Sequence, residues 1–422
     1  MNIAVSNFKD SGAASEMLAR LNASVSDIPG HSAGHVTEVR IIEDMAAIEE
    51  DWRKLEAGAH VSLHQSYAWC KAWVDAMTPK LAIVTGLHNG RVVFILPLEI
   101  VRGRLGRIAR FIGAPYSNLN TGLYHQSFAH SVTDESVRNI GLLIARAMEG
   151  RADVLQLANM PEEWRGVRNP FNRLPSIENQ NCAYQLPLLA TFEETLAQLN
   201  AKRKRKRFRS TAKKLEAHGG YEHVVATGHD DAVELVNMFF HQKAVRFQAL
   251  GLPNVFKDES IQAFFRNAAT APGNGANYSL QLHALRLNDG KETIAAIAGL
   301  SRKGDHIICQ FGSIDEDAAP GCSVGELLFH LMIEDANADH VALFDFGIGD
   351  QLYKRNWCTI ETPHRDILMP LSIRGRLGIL LLSAMTRTKA AIKKNERLYA
   401  ALQKLRAAKD AAPASSNSDC DD

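Results

Sequence analysis

Apolar residues fall at helical spacing in some stretches of the chain and run together or alternate in others. Met45 to Glu56 (MAAIEEDWRKLE) and Tyr67 to Met77 carry apolar positions three and four apart and predict two helices. Val36 opens a strand (VTEVRII), and Leu81–Glu99 reads as a hairpin: LAIVTGL, a His88-Asn89-Gly90 turn, then RVVFILPLE. Asn-Gly between β-rich runs is the strongest short-range hairpin signal. The same grammar returns at Leu280–Leu300, where LQLHALRL and ETIAAIAGL flank a turn at Asn288-Asp289-Gly290. Ser136–Leu157 then parallels Ser323–Phe346, each with a Ser-Val start, an amphipathic helix, a short break and a strand. The two hairpins lie about 200 residues apart. We read this order as a tandem duplication of one α/β unit, although strand–helix alternation also arises without duplication.

The pattern divides the chain. Residues 1–35 are small and polar and read as a flexible leader. Residues 36–190 form a first unit and 191–370 a second, 371–409 a basic amphipathic helix, and 410–422 an acidic tail that is disordered by composition. The 422 residues suit two or three domains, at about 150 residues per domain. Lys and Arg number 48 against 47 Asp and Glu, a net charge of +1. That balance gives no global pull toward nucleic acid or acidic membranes, so no stable DNA complex is expected and any attraction must be local. Six dispersed cysteines with no C-x-x-C pair argue against a zinc ribbon or a thioredoxin-type motif and suit a reducing cytoplasm. No metal site is expected. The N-terminal stretch lacks the basic-then-apolar order of a secretory signal. The longest apolar stretch near the C-terminus, Leu377 to Met385, is far short of the about 20 residues that span a bilayer. The expected class is a cytoplasmic α/β protein.

The stretch from His306 to Trp357 carries the most chemistry. A strand (HIICQFGSI) and an acidic loop (DEDAAPG) lead into a helix at Ser323, where Ser323 and Glu326 fit a capping box. Val324, Leu327, Leu328, Leu331 and Met332 give the stripe of a core-facing helix. Gly325 falls in the first turn, where it costs about 1 kcal/mol against Ala. Close approach of a ligand would explain it: first-turn N–H groups and the helix dipole favour an anion, so Gly321, Ser323, Val324 and Gly325 are candidates to cradle a pyrophosphate. A Gly packed against a strand is the alternative. Gly321-Cys322-Ser323-Val324-Gly325 also matches the G-x-S-x-G of a hydrolase nucleophile elbow, but a loop ending in Pro320, not a strand, runs into it.

Downstream, Phe344-Asp345-Phe346-Gly347-x-Gly349-Asp350-x-x-Tyr353-Lys354-x-x-Trp357 places a carboxylate inside an apolar strand and a phenol and an amine just past its end. Period two turns Asp345 away from the two Phe residues. Two readings stay open: a structural Asp paired with Lys354, or a reactive cluster. Lys202–Lys214 holds nine Lys/Arg in thirteen positions, a candidate anion-binding run or a solvated linker helix. His241, Lys243 and Arg246 share one segment and could line an acceptor pocket. The basic amphipathic C-terminal helix suits either packing on the body or contact with a membrane surface.

The order hairpin, strand with Q-F-G (Gln310-Phe311-Gly312), helix starting S-x-G-x-L-L, strand F-D-F-G and Y-K-x-x-W resembles the GNAT acyltransferase superfamily. It is most similar to the branch associated with bacterial cellulose and exopolysaccharide biosynthesis, which is related to Fem-type peptidyl transferases. Trp52, Leu55 and Ser66-x-x-Trp69-x-x-Trp73 resemble that family's entry helices. The resemblance covers about residues 38–370 as two GNAT-like units, each a mixed, mostly antiparallel sheet flanked by helices. It implies an acetyl-CoA or other acyl-CoA donor with its pyrophosphate at the Ser323 helix, a small-molecule or glycan acceptor, and no metal. It implies Tyr353 as proton donor to the leaving thiolate, Lys354 as a charge stabiliser, and Asp345 and Gln310 as orienting groups. The first unit would carry no cofactor. Within the same resemblance stand an aminoacyl-tRNA-dependent Fem-type transferase and a non-catalytic module that binds RNA or a lipid-linked glycan.

Overall fold

The computed structural model describes residues 36–103 and 106–380, so the leader, the acidic tail and most of the C-terminal helix lie outside the described residues. The strand expected from Val36 is β1 (Glu38–Ile42). The helix expected over Met45–Glu56 starts as a 3-10 turn and continues as α1 (Glu49–Glu56). The second expected helix is α2 (Tyr67–Met77), whose N-cap Ser66 accepts from the Trp69 N–H. β2 (Ile83–His88) and β3 (Arg91–Leu96) form the first hairpin. Asn89 and Gly90 supply its turn with φ of 49° and 76°, which an Asn-Gly pair adopts at little cost.

β4 (Leu98–Gly103) and β5 (Gly106–Phe111) extend the first unit, and α3 (Asp134–Ala147) crosses back to β6 (Val154–Pro161). β7 (Ser176–Glu178) and β8 (Ala183–Pro187) follow. α4 (Phe192–Ala197) forms the full Thr191/Glu194 capping box, and the basic run folds as α5 (Ala201–Glu216). Then come β9 (Tyr221–Val225), α6 (His229–Ala249), α7 (Glu259–Thr270) and the long hairpin of β10 (Asn277–Leu287) and β11 (Ile294–Lys303). β12 (His306–Ile314), α8 (Val324–Ala338), β13 (Leu343–Ile348), α9 (Leu352–Trp357), β14 (Ile360–Thr362) and β15 (His364–Pro370) complete the order.

The duplication is visible in the two parallel strand pairs. β5 runs parallel to β6 over Ile108–Arg110, and β12 runs parallel to β13 over His306–Ile308. Each pair is joined by a crossover helix, and each parts after three residues. The chain thus has two tandem GNAT-like units. In the first unit the parting is filled: Asn120 donates its backbone N–H to Asn159 O (3.0 Å) and its side-chain amide to Ala158 O (2.9 Å), while Asn159 reaches Ser117 O (2.8 Å). In the second unit the parting opens a cavity.

The sheets do not respect the expected division at residue 190. The second unit's sheet runs β9-β10-β11-β12-β13-β8-β14, so β8 crosses into it from the expected first unit. In return β15 enters the first unit's sheet between β7 and β6. Periodicity fixes which residues form a strand; it carries no information on which sheet receives it. The cores are shared in the same way. Trp69 and Trp73 of α2 pack edge-on against Phe264 of α7, with centroids 5.0 and 5.1 Å apart. Burying each such ring is worth about 2–3 kcal/mol, so the two units stabilise one another.

Candidate active site

Where β12 leaves β13, the β11–β12 register slips: Gly299 faces Phe311 and Leu300 faces Cys309, leaving Gln310 as the extra residue of a bulge. A bulge re-aims a side chain, and Gln310 turns toward the first unit. Its amide donates to Ser301 Oγ (3.1 Å) and lies 3.0 Å from His64 Nε2, and its carbonyl accepts from Asn118 Nδ2 (3.2 Å). His64 donates Nδ1–H to Leu119 O (3.0 Å), which leaves Nε2 as the acceptor for Gln310. Burial lowers the His64 pKa to about 4, so the ring stays neutral.

The parting holds a cavity of about 600 Å³. Gln310, Ser323, Val324, Gly325, Tyr353 and Lys354 all line it. Asp345 and Gly321 do not. Gly321 sits in an exposed turn with φ of 72°, and its carbonyl accepts from Lys214 Nζ (3.1 Å).

The expected capping box at Ser323 does not form, because α5 claims both of its side chains. Ser323 makes no cap bond to α8, and its Oγ accepts from Arg207 Nε (3.2 Å). Glu326 is held by Lys204 Nζ (3.1 Å) and faces Arg207 at 3.7 Å. Lys204 is buried, with Nζ 3.3 Å from the centroid of the Trp357 ring. Burial outweighs Glu326 and lowers its pKa to about 8. Part of the basic run is therefore architectural. The α8 N-terminus meets the cavity without a side-chain cap, and its one first-turn acid is neutralised from behind. This suits an anion. Gly325 also has a packing reason, since a Cβ there would lie 3.0 Å from Ile314 Cγ2.

The structural alternative, an Asp345–Lys354 ion pair, does not form. Asp345, 1% exposed, accepts from Gln185 Nε2 (2.6 Å) and from the Gly347 N–H (2.6 Å). His306 Nε2 stands 3.6 Å away, too far for a hydrogen bond. Burial pushes the Asp345 carboxyl up, and the Gln185 amide and the Gly347 N–H act against that push. Burial lowers the His306 pKa and keeps that ring neutral. Lys354, 5% exposed, donates to Ile348 O (2.7 Å) and Gly347 O (3.2 Å), and burial lowers its pKa. Tyr353 is 37% exposed and its ring stacks on Phe329 at 5.6 Å. Burial raises its pKa, so the phenol keeps its proton.

Sequence reasoning missed Asn118, a first-unit residue whose amide lies 3.0 Å from where a Gly347 Cβ would stand. Nothing in the sequence links positions so far apart. Of the acceptor-pocket candidates, Lys243 and Arg246 line the cavity, and His241 is exposed on the far side of the turn. Among the described residues no group of three or more His, Cys, Asp or Glu side chains is placed to hold a metal, and no helix is long and apolar enough to cross a membrane.

Comparison with known proteins bears on the fold. Residues 202–355 match the family model of the acetyltransferase (GNAT) domain. The crystal structure of FemX superposes with a TM-score of 0.51 at 10% identity, over 76% of this chain and 96% of that one. The C-terminal domain (DUF2156) of a putative lysylphosphatidylglycerol synthetase from Agrobacterium fabrum gives 0.50 at 11% identity, over 83% and 97%. A conserved protein of unknown function from Bacteroides thetaiotaomicron gives 0.50 at 10%, over 79% and 100%. At such identities the likeness is one of fold. No curated protein matches the chain.

Proposed function

We propose that the chain is an acyltransferase working in the cavity of its second unit, moving an acetyl or other acyl group from acyl-CoA to an amine or hydroxyl. One observation carries the reading: β12 and β13 part over a cavity that joins an uncapped helix N-terminus to Gln310, Tyr353 and Lys354. The donor pyrophosphate sits at Ser323, Val324 and Gly325, with Arg207 beside them. Lys354 supplies positive charge where the carbonyl oxygen becomes anionic. Tyr353, protonated and half-exposed, gives its proton to the leaving thiolate. Gln310, held by His64 and Asn118, orients the acceptor. Asp345 acts one residue removed, by fixing the strand end. The filled parting of the first unit supports a role for that unit in shaping the cleft.

The acceptor belongs to a surface glycan or its small-molecule precursor, a reading that rests on the family resemblance. Peripheral membrane contact is proposed for the C-terminal helix. Its described part, 373–380, leaves Ile373, Leu377 and Leu380 exposed at spacings of four and three.

A second reading, an aminoacyl-tRNA donor, draws on one feature of α5. Lys202, Lys206, Arg209 and Lys213 are exposed at helical spacing along its solvent side, as a phosphate backbone would require. Thermal-shift titration with acetyl-CoA, long acyl-CoAs and tRNA separates the two. Stabilisation by a CoA thioester supports the first, and stabilisation by tRNA alone overturns it.

A further inference from the structure

The cavity's charges do not balance. Of the described residues that line it, Lys243, Arg246 and Lys354 are basic and Glu326 is the one acid, already held by Lys204 and Arg207. Arg246 pairs with Glu316 across an exposed surface, where such a pair is worth little. Lys354 is satisfied by two carbonyls. Lys243 has no such partner: it is half-buried beside the Phe239 and Phe247 rings, 5.8 and 6.0 Å from their centroids, and among the described residues no carboxylate pairs with it. An ammonium out of water without a counter-ion is costly. Its helix is firmly placed to hold it there. Phe239 stacks on Phe311 at 4.0 Å, and Gln242 donates to Ile294 O (2.8 Å) and accepts from Ser313 Oγ (2.6 Å). The cation is thus built into the wall, on a helix other than the one proposed to hold the donor pyrophosphate.

We propose that Lys243, with Arg246 beside it, recognises a carboxylate or phosphate group on the acceptor, so that the acceptor substrate is an anion. The inference rests on the acyltransferase reading of this cavity and assigns its second substrate a chemical class. The anion completes the ion pair that Lys243 lacks and turns the acceptor's nucleophile toward the Gln310 side. Burial lowers the Lys243 pKa, and a bound anion reverses that shift.

The test uses small probes on the full chain. Malonate carries the carboxylate and glycerol 3-phosphate the phosphate, with malonamide and glycerol as their neutral counterparts. Calorimetric titration is run on wild type, Lys243→Met, Lys243→Arg and Ser323→Asp. The last variant repels anions from the α8 terminus. At least one anion is expected to bind wild type while its neutral counterpart does not. Lys243→Met should weaken that binding at least about tenfold, the scale of one lost charged contact. Lys243→Arg and Ser323→Asp should keep it within about threefold, because the first keeps the charge and the second lies at the other wall of the cavity. Which probe survives the comparison identifies the group as carboxylate or phosphate. Equal binding of neutral and anionic probes, binding indifferent to Lys243→Met, binding lost in Ser323→Asp, or no anion binding at all would each overturn the subsite. Acetyl-CoA is titrated into the same proteins. If it fails to bind while the Lys243-dependent anion binding persists, the acyl-CoA donor fails and the subsite stands.

Discussion

Asp345 and Lys354 grip opposite ends of one residue. The carboxylate of Asp345 takes the Gly347 N–H at 2.6 Å, and Lys354 Nζ donates to the Gly347 carbonyl at 3.2 Å. Gly347 can stand between them because its φ of 70° suits glycine, and because a Cβ there would meet Asn118 at 3.0 Å. The carboxylate thus fixes the strand end on which the amine is seated, without touching it.

Turnover, more than stability, should therefore separate these two positions. Asp345→Asn leaves a buried site short of an acceptor and is expected to cost about 1–3 kcal/mol, read as a lower melting temperature. Lys354→Met keeps the stem's packing but strips the donor from the Gly347 and Ile348 carbonyls, so melting should fall by a comparable amount, about 1–3 kcal/mol, while turnover falls by about 100-fold in addition, as when an oxyanion donor is lost. Equal effects of both on melting alone would make Lys354 structural.

Tyr353→Phe keeps the stack on Phe329 and removes only the hydroxyl. Melting should not change. Turnover of an acyl-CoA should drop by about 100-fold, within the usual range for general acid catalysis. Full activity would remove the phenol from the mechanism.

Gly325 has two explanations, and a double variant distinguishes them. Gly325→Ala crowds the Ile314 Cγ2 methyl, an overpacking of about 1–3 kcal/mol set against a gain of about 1 kcal/mol in helix propensity, so melting should hold or fall. Adding Ile314→Leu, which has no β-branch methyl to meet the new Cβ, relieves the clash and should restore melting. If donor binding returns with it, Gly325 is a packing glycine; if binding stays lost, the ligand needs the bare backbone. The account predicts the second outcome.

Acid should destabilise the fold through its buried histidines. His364 lies fully buried on β15 with both ring nitrogens unpartnered, and burial lowers its pKa to about 4 from 6.5. Between those values the unfolded chain binds a proton that the folded chain refuses. Stability is therefore full above about pH 6.5 and falls as pH drops toward 4, by about 1.4 kcal/mol per pH unit for one such group. His364→Leu should flatten the melting-temperature slope in that window. An unchanged slope would place the acid sensitivity elsewhere.

Much of the fold was legible because local signals agreed with it. The Asn89-Gly90 turn, the Thr191/Glu194 box and the apolar stripe of α8 each encode their own geometry. The exchange of β8 and β15 was not legible, since a strand's pattern does not name its sheet. At the site, six of the eight residues singled out line one cavity. The errors share a cause: Ser323, Glu326 and Asp345 were paired with neighbours in sequence, while their partners come from Arg207, Lys204 and Gln185, more than one hundred positions away. Asn118 was invisible for the same reason.

The claim that the second unit's cavity holds an acyl-CoA rests most directly on the α8 N-terminus, and one titration tests it. Ser323→Asp places an acceptor at a position where helices favour one, so melting should hold or rise, while the new negative charge repels a pyrophosphate. The account predicts that acetyl-CoA binds the wild-type protein and binds Ser323→Asp at least about tenfold more weakly, a loss of about 1.4 kcal/mol. Equal affinity in the two proteins, or no binding to wild type, would contradict it.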